Sequence, residues 1–256
     1  MKLKTEETAK ENSIDITARI GSGTQISKYT VIREKVIIGD NCQIGNQVVI
    51  HPGTQIGDNV RIDDHTVIGK LPMKARNSAT TSDKILSPAV IGSDCLIGTN
   101  VVIYAGATLG KGILVADLAT IREDVTVGDY TIVGRGVAIE NFCKIGSYCK
   151  LETNAYITAY SNLEDRVFIS PGVVTSNDNF VGRTKERFKY FKGVTVKKGG
   201  RIGANSTILP GKVIGEDTLV AAGSVVSKDT PAGKIVKGHP AKEWKDVPPE
   251  QLLENQ

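Results

Sequence analysis

The chain has 256 residues, of which only 5% are aromatic and 27 are glycine, and it carries a net charge of +4. A charge this mild excludes the clustered basic footprint of a nucleic-acid binder. No apolar run approaches the roughly 20 residues that a membrane span requires, and the polar start lacks the apolar core of a signal peptide. A cytoplasmic protein is expected.

Residues 1–13 form a polar amino-terminal segment, read as frayed or loosely helical. A strict period then begins with Ile20, Ile26, Ile32, Ile38, Ile44, Ile50, Ile56, Ile62 and Ile68. It resumes at Ile91 and holds every sixth residue to Ile169, then again from Val196 to Val226. Six residues fit neither a helix nor an alternating strand. They are the short repeat of a β-solenoid, in which three hexapeptides make one triangular coil. Coils stack at strand spacing, about 4.8 Å. Gly and Asn after the repeat aliphatics, as in Gly39-Asp40-Asn41, read as corners. Cys42, Cys95, Cys143 and Cys149 each fall four residues after a repeat aliphatic and read as small inward residues of a narrow core.

Residues preceding the repeat aliphatics point outward. In the first block Val31, Val49 and Val67 share one face while another carries Gln25, Gln43 and Arg61, and in the second block one face carries Val102, Thr120, Ala138, Tyr156 and Val174. A neighbouring face carries Leu96, Leu114, Ile132, Lys150 and Phe168, and the third is mostly polar. Stacked apolar stripes imply burial by other subunits, most simply in a homotrimer.

The period breaks at residues 69–89 and 175–193, which are read as ejected loops; such loops on a rigid scaffold carry function. The β-helix is expected over residues 14–232 and a carboxy-terminal extension over 233–256, with Pro248–Asn255 as a short helical cap.

The repeat of aliphatic, Gly, two variable residues and a small residue resembles the hexapeptide-repeat acyltransferases, which implies an all-β fold, a left-handed parallel β-helix. The third block, IGANSTILPGKVIGEDTLVAAGSVVSKDTPAGKIVKGHPAK, is similar to the acyl-CoA-binding end of that family. Gly203, Ala204, Ala221, Ala222 and Gly223 would let a pantetheine arm approach the backbone, and Lys228, Lys234, Lys237 and Lys242 would meet phosphates. The stretches GKLPMKARNSA, LVADLATIRED, ENFCKIGSYCKLETNAYITAYS and TSNDNFVGRTKERFKYFKGV resemble sugar-nucleotide N-acetyltransferases. The resemblance is to those acetylating the 3-amino group of a dTDP-linked 3-amino-3,6-dideoxyhexose. It implies acetyl-CoA as co-substrate, an amino-sugar nucleotide as acceptor, surface-glycan synthesis, and sites between the subunits of a trimer.

Acyl transfer to an amine needs positioning, oxyanion donors and a proton acceptor. Glu140, Asn177 and Asp178 are the catalytic candidates. Glu140 replaces a corner glycine and projects outward, while the other two open the second loop. Glu152 and Asn154, at the corner after Leu151, and Arg183 and Tyr190, in the second loop, are candidate substrate contacts. The resembled group leaves open whether a base exists or the leaving thiolate takes the proton. His51, His65 and His239 are less suited to the base role: the first two lie far from the acyl-CoA end and the third in a terminal turn. The histidines are not one coil apart, which argues against the zinc site of a γ-class carbonic anhydrase, so no metal is expected. Tetrahydrodipicolinate-type N-acetylation and a non-catalytic β-helix binding subunit are the alternatives.

Overall fold

The computed structural model describes residues 11–78, 80–81 and 84–256; most of the polar amino-terminal segment lies outside them. Among the described residues, thirty-two short strands stack as three parallel sheets, here called faces A, B and C, closed by one antiparallel strand at the end of face C. One coil runs Ala138–Ile139 on face A, Lys144–Ile145 on face B and Lys150–Leu151 on face C. Each pairs in register with residues 18 further on, for example Ile139 with Ile157. This is the expected left-handed β-helix.

The repeat aliphatics fill the interior. Ile50, Ile103, Ile139, Ile169 and Ile208 are fully buried, as are all four cysteines. Burial pushes the Cys143 thiol up to about 12 and the Cys149 thiol up to about 11. Corner carboxylates tie coils together: Asp117 Oδ1 accepts from Thr99 N at 2.9 Å, and Asp165 Oδ1 from Ser147 N at 2.8 Å. The third corner residue adopts a left-handed conformation, as at Asn41 and Asn154. Bulky residues occupy the same position. Tyr130 and Tyr148 have φ of 56° and 58° and stack with centroids 5.3 Å apart, so aromatic contact between coils offsets the backbone cost.

The carboxy-terminal end differs from the expectation. Lys234–Gly238 still pairs in parallel with Leu219–Val220, so the solenoid runs past residue 232, and Ala241–Asp246 folds back against it. In place of a helical cap there are two single 3₁₀ turns, Pro249–Gln251 and Leu253–Asn255. Leu252 between them is extended (ψ 145°), which prevents one continuous helix. Among the described residues no helix is long and apolar enough to cross a membrane.

Both loops leave the solenoid at one corner. The first follows Val67–Lys70 on face A and returns at Val90–Ile91 on face B. The second follows Val174–Thr175 on face A and returns at Thr195–Val196 on face B. Four face-A strands lie between the two exits. The A–B corner of those coils is therefore flanked by a loop at each end.

Candidate active site

The first residues of the A–B corner that lie 18 apart stack on one another, so they form an axial column. On three successive coils the column reads Tyr104, Arg122 and Glu140. Arg122 lies against the Tyr104 ring, 4.9 Å from its centroid, and Lys70 Nζ sits 5.0 Å from the same ring. Arg122 grips the buried carboxylate of Glu123 with two hydrogen bonds, Nε to Oε2 at 2.8 Å and Nη2 to Oε1 at 3.0 Å. Its remaining terminal nitrogen, Nη1, stands 3.6 Å from Glu140 Oε2.

The two loops close over this column from opposite directions. From the first, the Thr80 carbonyl accepts from Asn141 Nδ2 at 3.1 Å, and Thr81 Oγ1 accepts from Arg122 Nη2 at 3.4 Å. From the second come Asn177, Asp178, Arg187 and Phe191. Together with Glu140, Tyr156 and Thr158 they line a cavity of about 200 Å³ that Thr80 completes. A wider hollow of about 360 Å³ over Gln25, Gln43 and Arg61 is a trough on flat face C, with an Arg61–Asp63 ion pair in its wall. The smaller cavity is the one that gathers the catalytic candidates.

All three catalytic candidates line this cavity, but they differ in state. Burial raises the Glu140 carboxyl above the ordinary carboxylate range; Arg122 opposes the shift and Glu123 adds to it. Tyr156 is likewise raised, by burial and then by Glu140. Asp178 goes the other way. Burial would raise it, but hydrogen bonds from Gly182 N, Arg187 and Phe180 N outweigh that and hold it below its usual value. Its oxygens are already engaged, Oδ1 by Phe180 N at 2.9 Å and Oδ2 by Gly182 N at 2.9 Å and Arg187 Nη1 at 2.7 Å. So engaged, Asp178 is a fixed anion around which the second loop folds.

The other candidates divide between corners. Glu152 and Asn154 lie at the C–A corner, the opposite edge of face A, and Asn154 Oδ1 fits against the bare Cα of Gly136 on the coil before. They do not line the cavity. The same corner carries Gly203-Ala204 and, one coil on, Ala221-Ala222-Gly223, with Lys237 above Ala221. A Cβ on Gly203 would stand 2.5 Å from Ala222 N, so coil stacking itself demands this glycine. Gly223 is different: at φ +68° it has open space around it, which suits the approach of an extended ligand. Lys237 Nζ lies 3.6 Å from the Trp244 ring centroid, whereas Lys228 is exposed near the A–B corner, apart from the others. Arg183 is exposed, and Tyr190 stacks on Phe180 at 5.8 Å, outside the cavity lining.

Arg122, Glu123 and Tyr104 escaped the sequence reading. Stepping by 18 along the first corner position would have shown Tyr104, Arg122 and Glu140 in a row.

Models of known families match in three places. Bacterial transferase hexapeptide (six repeats) matches residues 17–52 and 35–70, the GMPPB C-terminal domain 80–186, and the hexapeptide repeat of succinyl-transferase 194–228. An Arabidopsis UDP-N-acetylglucosamine acyltransferase is similar at 16% identity and TM-score 0.64, over 93% of this chain and 73% of that one. A Bacteroides fragilis UDP-N-acetylglucosamine acyltransferase aligns over the same shares at 20% identity and TM-score 0.48. A Vibrio cholerae hexapeptide-repeat acetyltransferase complexed with acetyl coenzyme A aligns at 25% identity and TM-score 0.41, over 48% of this chain and 70% of that one. No curated protein matches the sequence. The chain thus has the fold of the Arabidopsis acyltransferase and carries transferase-type hexapeptides at both ends of the solenoid, with the Glu140 cavity between them.

Proposed function

We propose that the protein transfers the acetyl group of acetyl-CoA to the amine of a nucleotide-linked, dTDP-type amino-deoxy sugar, with Glu140 as the proton acceptor. The observation that carries this is the partly desolvated carboxyl of Glu140 in a cavity built by two loops. The amine nitrogen attacks the thioester carbonyl carbon, the N–C bond forms, and the C–S bond breaks to release the thiolate. The nitrogen's proton passes to Glu140. A carboxyl that burial raises above the ordinary range is a stronger base toward that proton than an exposed carboxylate. Asn177 offers an amide donor to the carbonyl oxygen as it gains charge, and the aromatic residues of the second loop shield the cavity from water.

The split between corners motivates a homotrimer. In a three-fold ring with face A toward the axis, the A–B corner of each copy meets the C–A corner of the next. Cyclic symmetry allows no axial shift, so Glu152 and Asn154 of one copy come level with Glu140 of its neighbour. The small corner of Gly203, Ala204, Ala222 and Gly223 then lies beside the second loop, where a pantetheine arm would reach the cavity and Lys237 would meet its phosphates. The stacked Val31, Val49, Val67 and Val102 on face A suit such a covered surface.

The test is thiol release from acetyl-CoA and succinyl-CoA across dTDP- and UDP-amino sugars and amino-diacids. Release with an amino-sugar nucleotide supports the reading, and release with a diacid alone overturns it. No release with any amine favours a binding subunit.

A further inference from the structure

Arg122 is the cation nearest Glu140, yet it does not spend its hydrogen bonds there. Two of its nitrogens are held by Glu123 at 2.8 and 3.0 Å, while the approach to Glu140 is 3.6 Å, longer than a hydrogen bond. Glu123 is 3% exposed, so its grip is shielded from solvent. The guanidinium is also fixed against Tyr104 and touched by Thr81, which leaves it little freedom to swing.

We propose that Glu123 is a positioning residue: by clamping Arg122 it keeps that cation off Glu140 and leaves Glu140 able to take up the proton of an incoming nucleophile. A carboxylate in direct contact with an unshared guanidinium is a weak base, because the opposite charge favours its ionised form. Sharing the same cation with a second, buried carboxylate cancels most of that attraction. The other ionisable groups around Glu140 do not replace this control. Tyr156 and Cys143 both have raised values and so stay uncharged near neutrality. Across the cavity, Asp178 and Arg187 are paired with each other at 2.7 Å. Beside burial, the Arg122–Glu123 pair is thus what tunes how tightly Glu140 holds a proton. The inference rests on Glu140 being the acceptor only for its catalytic consequence, not for the electrostatics.

The experiment is a carboxyl-carbon NMR titration of Glu140 in the resting protein, with no substrate, for wild type, Glu123→Gln and Arg122→Gln. Freeing Arg122 in Glu123→Gln is expected to lower the Glu140 midpoint by about one pH unit, and removing the cation in Arg122→Gln to raise it by a similar amount. Opposite movements would not arise from general loosening of the coil. If Glu123→Gln does not fold, Arg122→Gln alone still decides. A Glu140 midpoint that stays put or rises in Glu123→Gln, or that stays put or falls in Arg122→Gln, overturns the proposal. Where a substrate is in hand, the acid limb of kcat/KM should move with the NMR midpoint. An unmoved limb with moved midpoints would overturn Glu140 as acceptor while upholding the clamp.

Discussion

Arg187 Nη1 donates to Asp178 Oδ2 at 2.7 Å, across nine residues, and this bond closes the second loop on itself beside Glu140. The same carboxylate gathers the backbone of Phe180 and Gly182. One anion therefore holds together the part of the cavity wall that the second loop supplies. Asp178→Asn is expected to loosen the loop by about 2 kcal/mol, the usual worth of a hydrogen bond to a charged group. Hydrogen exchange should quicken at Phe180 and Gly182 and leave the solenoid strands unchanged. The pH sense follows from the depressed carboxyl: the stabilisation is full above the unfolded value, near 3.8, and disappears as pH falls through the lower folded one.

Glu140 has the opposite linkage. Its folded value is raised, so its contribution to stability is present at low pH and lost as pH rises through that value. Glu140→Gln removes a charge that is costly to bury. It is expected to raise the melting temperature at neutral pH while lowering kcat by about 10²- to 10⁴-fold, the range for loss of a general base. Calorimetry and the thiol-release assay on the same variant check both halves.

The two glycines of the C–A corner separate stacking from ligand approach. Gly203→Ala forces a Cβ to within 2.5 Å of a backbone nitrogen and should destabilise by about 1–3 kcal/mol. Gly223→Ala meets no atom and strains only its own φ, at about 1 kcal/mol. If the pantetheine arm lies here, Gly223→Ala raises KM for the acyl donor out of proportion to its small loss of stability. Thermal melts beside donor titrations distinguish the two.

Burial makes the cysteines inert. With Cys143 pushed up to about 12 and Cys149 to about 11, almost no thiolate exists near neutrality, and the thiolate is the reactive form. No thiol should react with a disulfide reagent in the native protein, and all four should react in denaturant, as followed by absorbance.

Core truncations should be graded by position. Ile139 is fully buried in a middle coil, and Ile139→Ala is expected to cost about 2–5 kcal/mol. Ile20, near the amino-terminal end, is 37% exposed, so Ile20→Ala should cost clearly less and act locally, as in a stack of neighbours. Denaturant melts of the two variants test the contrast.

The fold was legible because the interior of a solenoid writes its period directly into the sequence. Ile68, Ile103 and Ile139 face inward for the same reason at each turn. Glu140 was legible too, as a charge at a corner. Arg122 and Glu123 were not, because their roles depend on one another and on loop residues such as Thr81, 41 positions away. Asp178 was legible as a loop carboxylate, but its engagement by Arg187 was not, since the sequence does not show which cation the loop folds toward.

The shared exit corner makes the solenoid a ruler as well as a scaffold. Deleting one 18-residue coil between Lys70 and Val174 would draw the loops about 4.8 Å closer on the same edge. Deleting a single hexapeptide would instead turn the second loop onto a different edge, away from the first. The span between the loops is thus graduated in whole coils, and change in units of 18 residues can resize the cavity without rebuilding it.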